Sequence, residues 1–493
     1  MNDLDVPQGW SRARVDAVVA NIRAKALPSD HPQLPFVGMD AVESQTSRLL
    51  GTIPAAGMKS AGVHFLPGDV LYGRLRPYLN KVLVAKFEGL ASAEFIPLTP
   101  ERDMSPEFVR YRLSAADFVS FASHLDEGDR PRVDYGQIGA FECGIPPAGE
   151  QVRIVAAIEQ YLTALDAAVV TLERVQRNLK RYRASVLNAA VEGRLVPTEA
   201  ELARAEGRDY KPASKLLERI LAERRKRWEQ SGRKGRYEEP AEPNVAGSAD
   251  LPEGWCWASV DQLTDGERSC GYGVLVPGPE VDGGIPLVRV GDIGEGSVDQ
   301  RHMKRIAPAI AAQFSRTFLR GGEVLMSLVG TIGRTAVAPG SLAGANVARA
   351  IGVIPVSGLV EPRWVEHWFR SPRQRSIMDS KSHEVARKTL NLEDVRAANV
   401  ALPPLAEQGR ILEAVSDLLS VADASLVSTE TDVSRLSRLR QSILRWAFEG
   451  KLVDHDPNDE PAFVLLERIR ARRAAAAPAP RSRVKRPRAK VTR

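Results

Sequence analysis

The sequence predicts an α+β fold with an internal pseudo-twofold repeat: two mixed α/β modules, each followed by a long helix, the two helices packing as an antiparallel coiled coil. Three observations carry this. The stretch at residues 146–196 recurs at 403–453. The segments before the two copies share short motifs in the same order, and each copy has helical periodicity with no proline after its opening pair.

The first copy reads PPAGEQVRIVAAIEQYLTALDAAVVTLERVQRNLKRYRASVLNAAVEGRLV and the second PPLAEQGRILEAVSDLLSVADASLVSTETDVSRLSRLRQSILRWAFEGKLV. Glu150 and Glu407, Ser185 and Ser442, and Gly193 and Gly450 are each 257 residues apart, so no insertion separates the copies. Ile154, Ile158, Tyr161, Leu165, Ala168, Leu172, Val175, Leu179, Tyr182, Val186 and Ala189 alternate steps of four and three, a heptad seam. A proline pair precedes each helix, a glutamate sits where the helix dipole favours an anion, and a glycine supplies the stop. At about 1.5 Å per residue each rod would be on the order of 65 Å long, about two turns of duplex DNA. In the second copy Ser425, Thr429 and Asp432 fall on the expected seam while Leu426 and Val433 continue a shifted stripe, so a local break in packing is expected there.

The segments before the helices also correspond. Pro7-Gln8-Gly9-Trp10 matches Pro252-Glu253-Gly254-Trp255 at an offset of 245, Pro35-Phe36-Val37 matches Pro286-Leu287-Val288 at 251, and Gly68-Asp69-Val70-Leu71 matches Gly322-Glu323-Val324-Leu325 at 254. Offsets that only increase mean the same elements in the same order, with longer loops in the second module. Both modules mix β-like runs, such as KVLVAKF at 81–87 and IPLVRV at 285–290, with short helices around 106–124 and 363–380. A basic amphipathic helix follows the first rod at 215–228, and LLERI at 465–469 repeats part of it. The expected organisation is a first module at 1–149, a long helix and basic helix at 150–235, a linker at 236–248, a second module at 249–406, the second long helix and its follower at 407–473, and a disordered basic tail at 474–493.

The 493 residues are 43% hydrophobic and 26% charged, a balance that suits several globular domains. The start, MNDLDVPQGW, lacks a secretory pattern, and no apolar run is seen that approaches the 18 or so residues of a membrane span, so a cytoplasmic chain without a membrane partner is expected. Cys143, Cys256 and Cys270 have no C-x-x-C spacing, which points to incidental thiols rather than a disulfide framework or a zinc site. Of the net charge of +6, the tail at 481–493 supplies seven positive charges and no negative one, leaving −1 for everything else. A nucleic-acid footprint must therefore be a local patch, and the tail is either a non-specific polycation or a solvated solubility tail.

These motifs resemble one family, the specificity subunits of type I restriction-modification systems. The resemblance rests on the doubled PP-x-x-EQ-x-RI helix starts, the doubled EG-[RK]-LV ends, LPFVGMDAVES at 34–44, PLVRVGDI at 286–293 and the GDVL or GEVL runs, and it covers the chain to about residue 473. It implies two target-recognition domains that each read half of a bipartite site in double-stranded DNA, with the long helices as a ruler that docks two methyltransferase (modification) subunits and, through the complex, restriction/translocase subunits. It also implies that no cofactor is bound by this chain: S-adenosylmethionine, ATP and Mg belong to the partners. The residues agree in what they lack, a G-x-x-x-x-G-K-[ST] phosphate loop and an N/D-P-P-Y/F motif. Asp379-Ser380-Lys381 reads as incidental, and no histidine constellation suggests catalysis.

The resemblance places the loop after each GDVL-like strand near DNA. In the first module this is YGRLRPYLNK, where Arg74, Arg76 and Lys81 suit phosphates or guanine edges, Asn80 suits adenine and Tyr78 suits stacking or a backbone contact. In the second it is SLVGTIGRT, where Gly330 and Gly333 would expose backbone N–H groups beside Thr331 and Arg334. Different chemistries imply different half-sites. A second pair of candidates precedes the long helices: Arg130 and Arg132 in the first module, Arg387, Lys388 and Thr389 in the second. Arg289 is a poorer candidate, and Arg153 and Arg410 are expected to pair with Glu150 and Glu407. The competing readings are a coiled-coil adaptor, which leaves the two loop-rich modules unexplained, and a self-sufficient nuclease or methyltransferase, which the missing motifs disfavour.

Overall fold

The computed structural model describes residues 6–21, 25–126, 128–232, 234–384 and 388–476. They form two compact units, one of residues 1–173 with 430–493 and one of 174–429. The division does not fall at the module ends expected from the sequence. It falls inside each long helix, because each helix half buries its apolar face against the module nearest to it.

In the first unit a four-stranded sheet has the order Val19–Asn21, Phe95–Pro100, Val70–Gly73, Val82–Val84. The GDVL strand is interior and all four of its residues are buried, as a strand covered on both faces requires. The second unit repeats this order with Gly271–Tyr272, Ile351–Ile354, Val324–Ser327 and Thr335–Val337, the GEVL strand again interior. The PFV and PLV motifs are also equivalent strands, each in a second sheet with one parallel neighbour: Pro35–Val37 beside Gly89–Ser92, and Ile285–Val288 beside Asn346–Val347. A two-stranded ribbon then returns each module's end to its beginning, Ser11–Arg14 with Glu142–Ile145 and Cys256–Ser259 with Asn399–Leu402.

The short helices expected around 106–124 and 363–380 are a pair in each module, Pro106–Ser114 with Ala116–Ser123 and Pro362–Arg370 with Pro372–Ser380. In the second pair the break is local chemistry: Ser371 precedes Pro372 and is held extended at φ −60°, ψ 140°. The basic helix is present as Ala213–Gln230, and the tail-side helix as Ala462–Ala476. The stretch expected to be a linker is tied to the second module, since Ser259 Oγ donates to Ala241 O at 2.6 Å and Asn399 Nδ2 to Asn244 O at 2.5 Å.

The long helices, Ala148–Val191 and Leu405–Phe448, have 44 residues each. In the first unit Ile154, Ile158 and Leu162 share a core with Ile443, Leu444 and Ala447. In the second, Val186, Leu187, Ala190 and Val191 share one with Ile411, Val415 and Leu419. The start of one helix thus meets the end of the other, the antiparallel arrangement. Ion pairs follow it: Arg440 with Asp166 in the first unit, and Arg183 with Asp423 at 2.7 Å in the second. Each fully buried Leu or Ile contributes about 1.5–3 kcal/mol, so the helix ends are the strongly held parts.

The heptad reading is only partly right. Tyr161, Val175 and Tyr182 were placed on the seam but are exposed, whereas Leu162, Leu187 and Ala190 are buried. The helix ends are covered by a module as well as by the other helix, which widens and rotates the apolar face. Where a local break in packing is expected, the second helix is continuous, with Thr429 buried and Ser425 and Leu426 half-buried. There the hydroxyls turn inward on their own helix, Ser425 Oγ to Val421 O and Thr429 Oγ1 to Leu426 O, both at 2.8 Å. One further expectation changes: Ala148–Val191 is long and apolar enough to cross a membrane by length and composition, with an 18-residue window of mean hydropathy 1.4. Its apolar residues are spread over the helix rather than gathered in one unbroken run, and several of them lie in the cores just described.

Candidate nucleic-acid interface

The repeated motifs form the joint between module and helix. In the first unit Trp10 Nε1 donates to Glu150 Oε1 at 2.9 Å, and in the second Trp255 Nε1 donates to Glu407 Oε1 at 2.8 Å. The neighbouring glutamine does two tasks. Gln151 Nε2 donates to Pro146 O and its Oε1 accepts from Ser105 N, while Gln408 does the same with Pro403 O and Glu361 N. The glycine that ends each long helix is left-handed, Gly193 at φ +66° and Gly450 at φ +68°. A Cβ there would lie 2.5 Å from Pro252 and 2.4 Å from Pro7 respectively. Each P-x-G-W turn therefore wedges between the end of one long helix and the start of the other, within its own unit.

Arg153 and Arg410 do not pair with Glu150 and Glu407 as expected. Arg153 pairs with Asp459 at 2.6 Å and Arg410 with Glu199 at 2.7 Å. The two glutamates are almost fully buried and spend their oxygens on the tryptophans and on a second donor, His455 Nδ1 at 3.2 Å for Glu150 and the Glu199 N–H at 2.8 Å for Glu407. Burial pushes the Glu407 carboxyl above its ordinary value. Burial acts the same way on Glu199, but its bonds from Arg208 and Arg410 outweigh it and hold that carboxyl low. The helix Glu199–Glu206 that carries Glu199 went unread, although Thr198 and Glu201 form a capping box and Gly207 closes it.

In each module the two candidate loops meet. In the first module the strand Val70–Gly73 leads into Arg74, Leu75 and the left-handed Arg76 at φ +52°. Leu75 forms an isolated bridge with Arg132, and Arg76 N donates to Pro131 O at 2.8 Å. In the second module the strand Val324–Ser327 leads to Val329, which bridges Thr389, and Gly330 N donates to Lys388 O at 3.2 Å. Leu75 and Val329 are 254 residues apart, and Arg132 and Thr389 are 257 apart, the local offsets of the repeat. The two separate candidate loops of each module are thus one surface, built twice.

The side chains divide into those held and those offered. Asn80 is 3% exposed, left-handed at φ +51°, and donates from Nδ2 to Ser114 O at 3.0 Å, so it locks the loop from inside rather than facing a base edge. Lys81 Nζ is spent on Met39 O at 2.6 Å. Arg74 is half-buried, with an Nε that has no partner. Arg76, Tyr78, Arg130 and Arg132 are exposed, and Arg132 is paired with Glu94 at 2.6 Å. Asp126 accepts the N–H of Arg132 at 2.8 Å and of Gly128 at 3.1 Å, bonds that shape this loop and hold its carboxyl low.

In the second module Thr331 and Lys388 are exposed and Arg334 is half-buried. Lys388 pairs with Asp379 at 3.1 Å, while Arg387 lies outside the described residues. Gly330 and Gly333 are left-handed, at φ +80° and +76°, but they do not expose their N–H groups: Gly330 donates to Lys388 O, and Gly333 to Ser327 O at 3.0 Å. The Ser327 hydroxyl closes the loop by donating to Thr331 O and accepting from Arg334 N. Glycine serves here to make the tight turn. Arg289 does not face solvent freely either, since its guanidinium holds Asp292 at 3.0 Å and His302 O at 2.8 Å.

No family model matches the chain. Among curated proteins it is 32% identical over 342 residues to the type I restriction enzyme EcoBI specificity subunit of Escherichia coli, covering 67% of this chain and 64% of that one. It is 31% identical over 227 residues to the EcoDI specificity subunit of Escherichia coli, covering 44% and 50% of the two chains, and 24% identical over 403 residues to the EcoKI specificity subunit of Escherichia coli strain K12, covering 77% and 74%. The matched region thus spans just under two thirds of the EcoBI subunit and half of the EcoDI subunit. A chain solved in a study of complex assembly and conformational transition of the type I R-M system shares the fold, with a TM-score of 0.61 at 20% identity over 91% of this chain and all of that one. The resemblance carried by the doubled PP-x-x-EQ and EG-[RK]-LV motifs is therefore one of kinship: the chain is a relative of the type I restriction enzyme specificity subunits.

Proposed function

We propose that the chain is the sequence-specific DNA-binding subunit of a type I restriction-modification complex and reads a bipartite, asymmetric site, one half per module. The observation that carries this is the joined loop surface, present at equivalent positions of both modules on one backbone plan but with different side chains. A shared scaffold with divergent loops is how one architecture reads two different sequences. Arg76, Tyr78, Arg130 and Arg132 offer cations and a ring on one surface, and Thr331, Arg334 and Lys388 offer a hydroxyl and cations without a ring on the other. The cations suit phosphates and guanine edges.

The chain itself is non-catalytic in this reading and acts in the cytoplasm. Two methyltransferase subunits supply adenine methylation from S-adenosylmethionine, and restriction/translocase subunits supply ATP- and Mg-dependent translocation and cleavage. The test is an exchange of residues 1–149 for the corresponding module of another specificity subunit, followed by mapping of methylated adenines in cells that hold the modification partner. One half of the methylated site changes and the other stays. A change in both halves, or S-adenosylmethionine turnover by the purified chain alone, overturns the reading.

A further inference from the structure

The second unit holds a cavity of about 540 Å³ into which five arginines face: Arg224, Arg236, Arg268, Arg316 and Arg396. Concentrating like charge is unfavourable unless counter-charge is supplied. Part of it is supplied from beneath. Asp261, 3% exposed, serves both Arg396 at 3.0 Å and Arg224 at 3.6 Å, and Glu323, 2% exposed, serves Arg268 at 2.8 Å. Arg236 and Arg316 are exposed at the rim and have no ion-pair or hydrogen-bond partner among the described residues. Of the two acids in the wall, Glu267 is already held by Arg320 at 2.8 Å, which leaves Glu238.

The repeat provides an internal control. Arg224 and Arg473 are equivalent, and both clasp the turn that follows the first strand of their module: Arg224 NH1 donates to Asp261 O, and Arg473 NH1 to Asp16 O at 2.7 Å. That clasp is structural, since both units have it. At the position of Arg396 the first unit has Gly139, where a Cβ would lie 2.9 Å from Asp16 Cβ. The first unit's Asp16 pairs instead with Arg14 at 2.6 Å, on the strand before it, so the second unit differs in drawing this cation, Arg396, from the side of the cavity.

A further wall is aromatic. Trp228 and Tyr237 meet edge to face with ring centroids 5.6 Å apart. Guanidinium forks match phosphate oxygens in pairs, a ring wall suits a planar heterocycle, and the volume falls in the range of small-molecule sites. The cavity lies toward the Glu323 end of the strand Val324–Ser327, whereas the proposed DNA surface begins at its Ser327 end. A duplex is too wide to enter a recess of this size. We infer that this cavity of the second unit is a binding site for a phosphorylated small ligand of the nucleotide class, separate from the DNA-reading surface.

The experiment titrates the full chain with ATP and, separately, with inorganic tripolyphosphate by calorimetry, and compares an Arg236→Ala/Arg316→Ala variant that keeps the basic tail. ATP is expected to bind the parent chain, tripolyphosphate at least tenfold more weakly, and the variant to lose ATP affinity at least tenfold while its melting temperature and duplex-DNA retention stay unchanged. Absence of ATP binding, or equal binding by the variant, overturns the site. Equal affinity for tripolyphosphate overturns the nucleotide class, and parallel loss of DNA retention overturns its separation from the DNA surface.

Discussion

Trp255 donates its indole N–H to the buried carboxylate of Glu407 across 2.8 Å, and the pair Trp10 and Glu150 repeats the bond at 2.9 Å in the other unit. This bond fastens the start of each module to the start of the helix that follows it. A Trp255→Phe variant keeps an aromatic ring, though a smaller one, and leaves a buried carboxylate oxygen without its donor, at an expected loss of at least about 1–3 kcal/mol in chemical denaturation. A loss no larger than that of an exposed control would show that the bond is incidental.

The pH dependence of that joint has a definite sign. Burial raises the Glu407 carboxyl, so the folded chain holds that proton more tightly than the unfolded one. Its contribution to stability is complete below the ordinary carboxylate value of about 4.3 and is lost as pH rises through the raised value. Glu407→Gln removes this loss. Melting temperatures of parent and variant, taken from about pH 4 to pH 7, should move in the variant's favour as pH rises, and movement in the opposite direction refutes the assignment.

Arg473 binds Glu101 Oε1 at 2.6 Å, Asp16 O at 2.7 Å and Val19 O at 3.0 Å. Three acceptors, each on a different guanidinium nitrogen, need a fork rather than a point charge. Arg473→Lys should therefore destabilise the first unit by about 1–3 kcal/mol despite conserving charge. Proteolysis of the Ala462–Ala476 helix reports this locally, and the prediction fails if cleavage is no faster than in the parent.

For DNA, Arg130 is exposed and without an ion-pair partner among the described residues, as suits a phosphate contact. Arg130→Ala should weaken binding to every duplex alike and reduce the salt slope of log K by about one. Sequence preference should not change. A variant that relaxes preference at one position of the site, with the salt slope intact, would instead make Arg130 a base reader.

Gly330 is exposed and left-handed at φ +80°, with open space where a Cβ would be added. Gly330→Val meets no clash but is strained by roughly 1–2 kcal/mol in that conformation, so the loop moves. Methylome mapping should show loss or relaxation of one half-site and none of the other. Loss of both would mean the modules do not read independently.

Most of the architecture was legible because it is written twice. The equal helix lengths, the equivalent GDVL and GEVL strands and the helix stops at Gly193 and Gly450 all follow from spacing and local rules. Where the reading went astray, tertiary context had decided. Tyr161 and Tyr182 have the right period for a seam but the wrong neighbours, and Asn80, read as a base contact by type, is consumed by Ser114 O, which only folding brings near. Glu150 and Arg153 looked like a local pair, yet their partners, Trp10 and Asp459, are far away in sequence. The joining of the two loop candidates in each module was invisible for the same reason, since Leu75 and Arg132 meet only through the fold.

The two units stand differently with respect to the ribosome. Residues 174–429 are one uninterrupted stretch, so everything the second unit needs has been synthesised before the chain is finished. The first unit needs residues 430–476 as well, because Ile154, Ile158 and Leu162 are covered by Ile443, Leu444 and Ala447, and the P-x-G-W turn at Pro7 is seated on Gly450. Its module emerges first yet is completed last, with an apolar helix face uncovered for the time in which the intervening residues are made. Both halves of the first long helix wait for a partner made later, but the half in the first unit waits longer, so vectorial synthesis is expected to leave the first unit the more exposed to aggregation and chaperones.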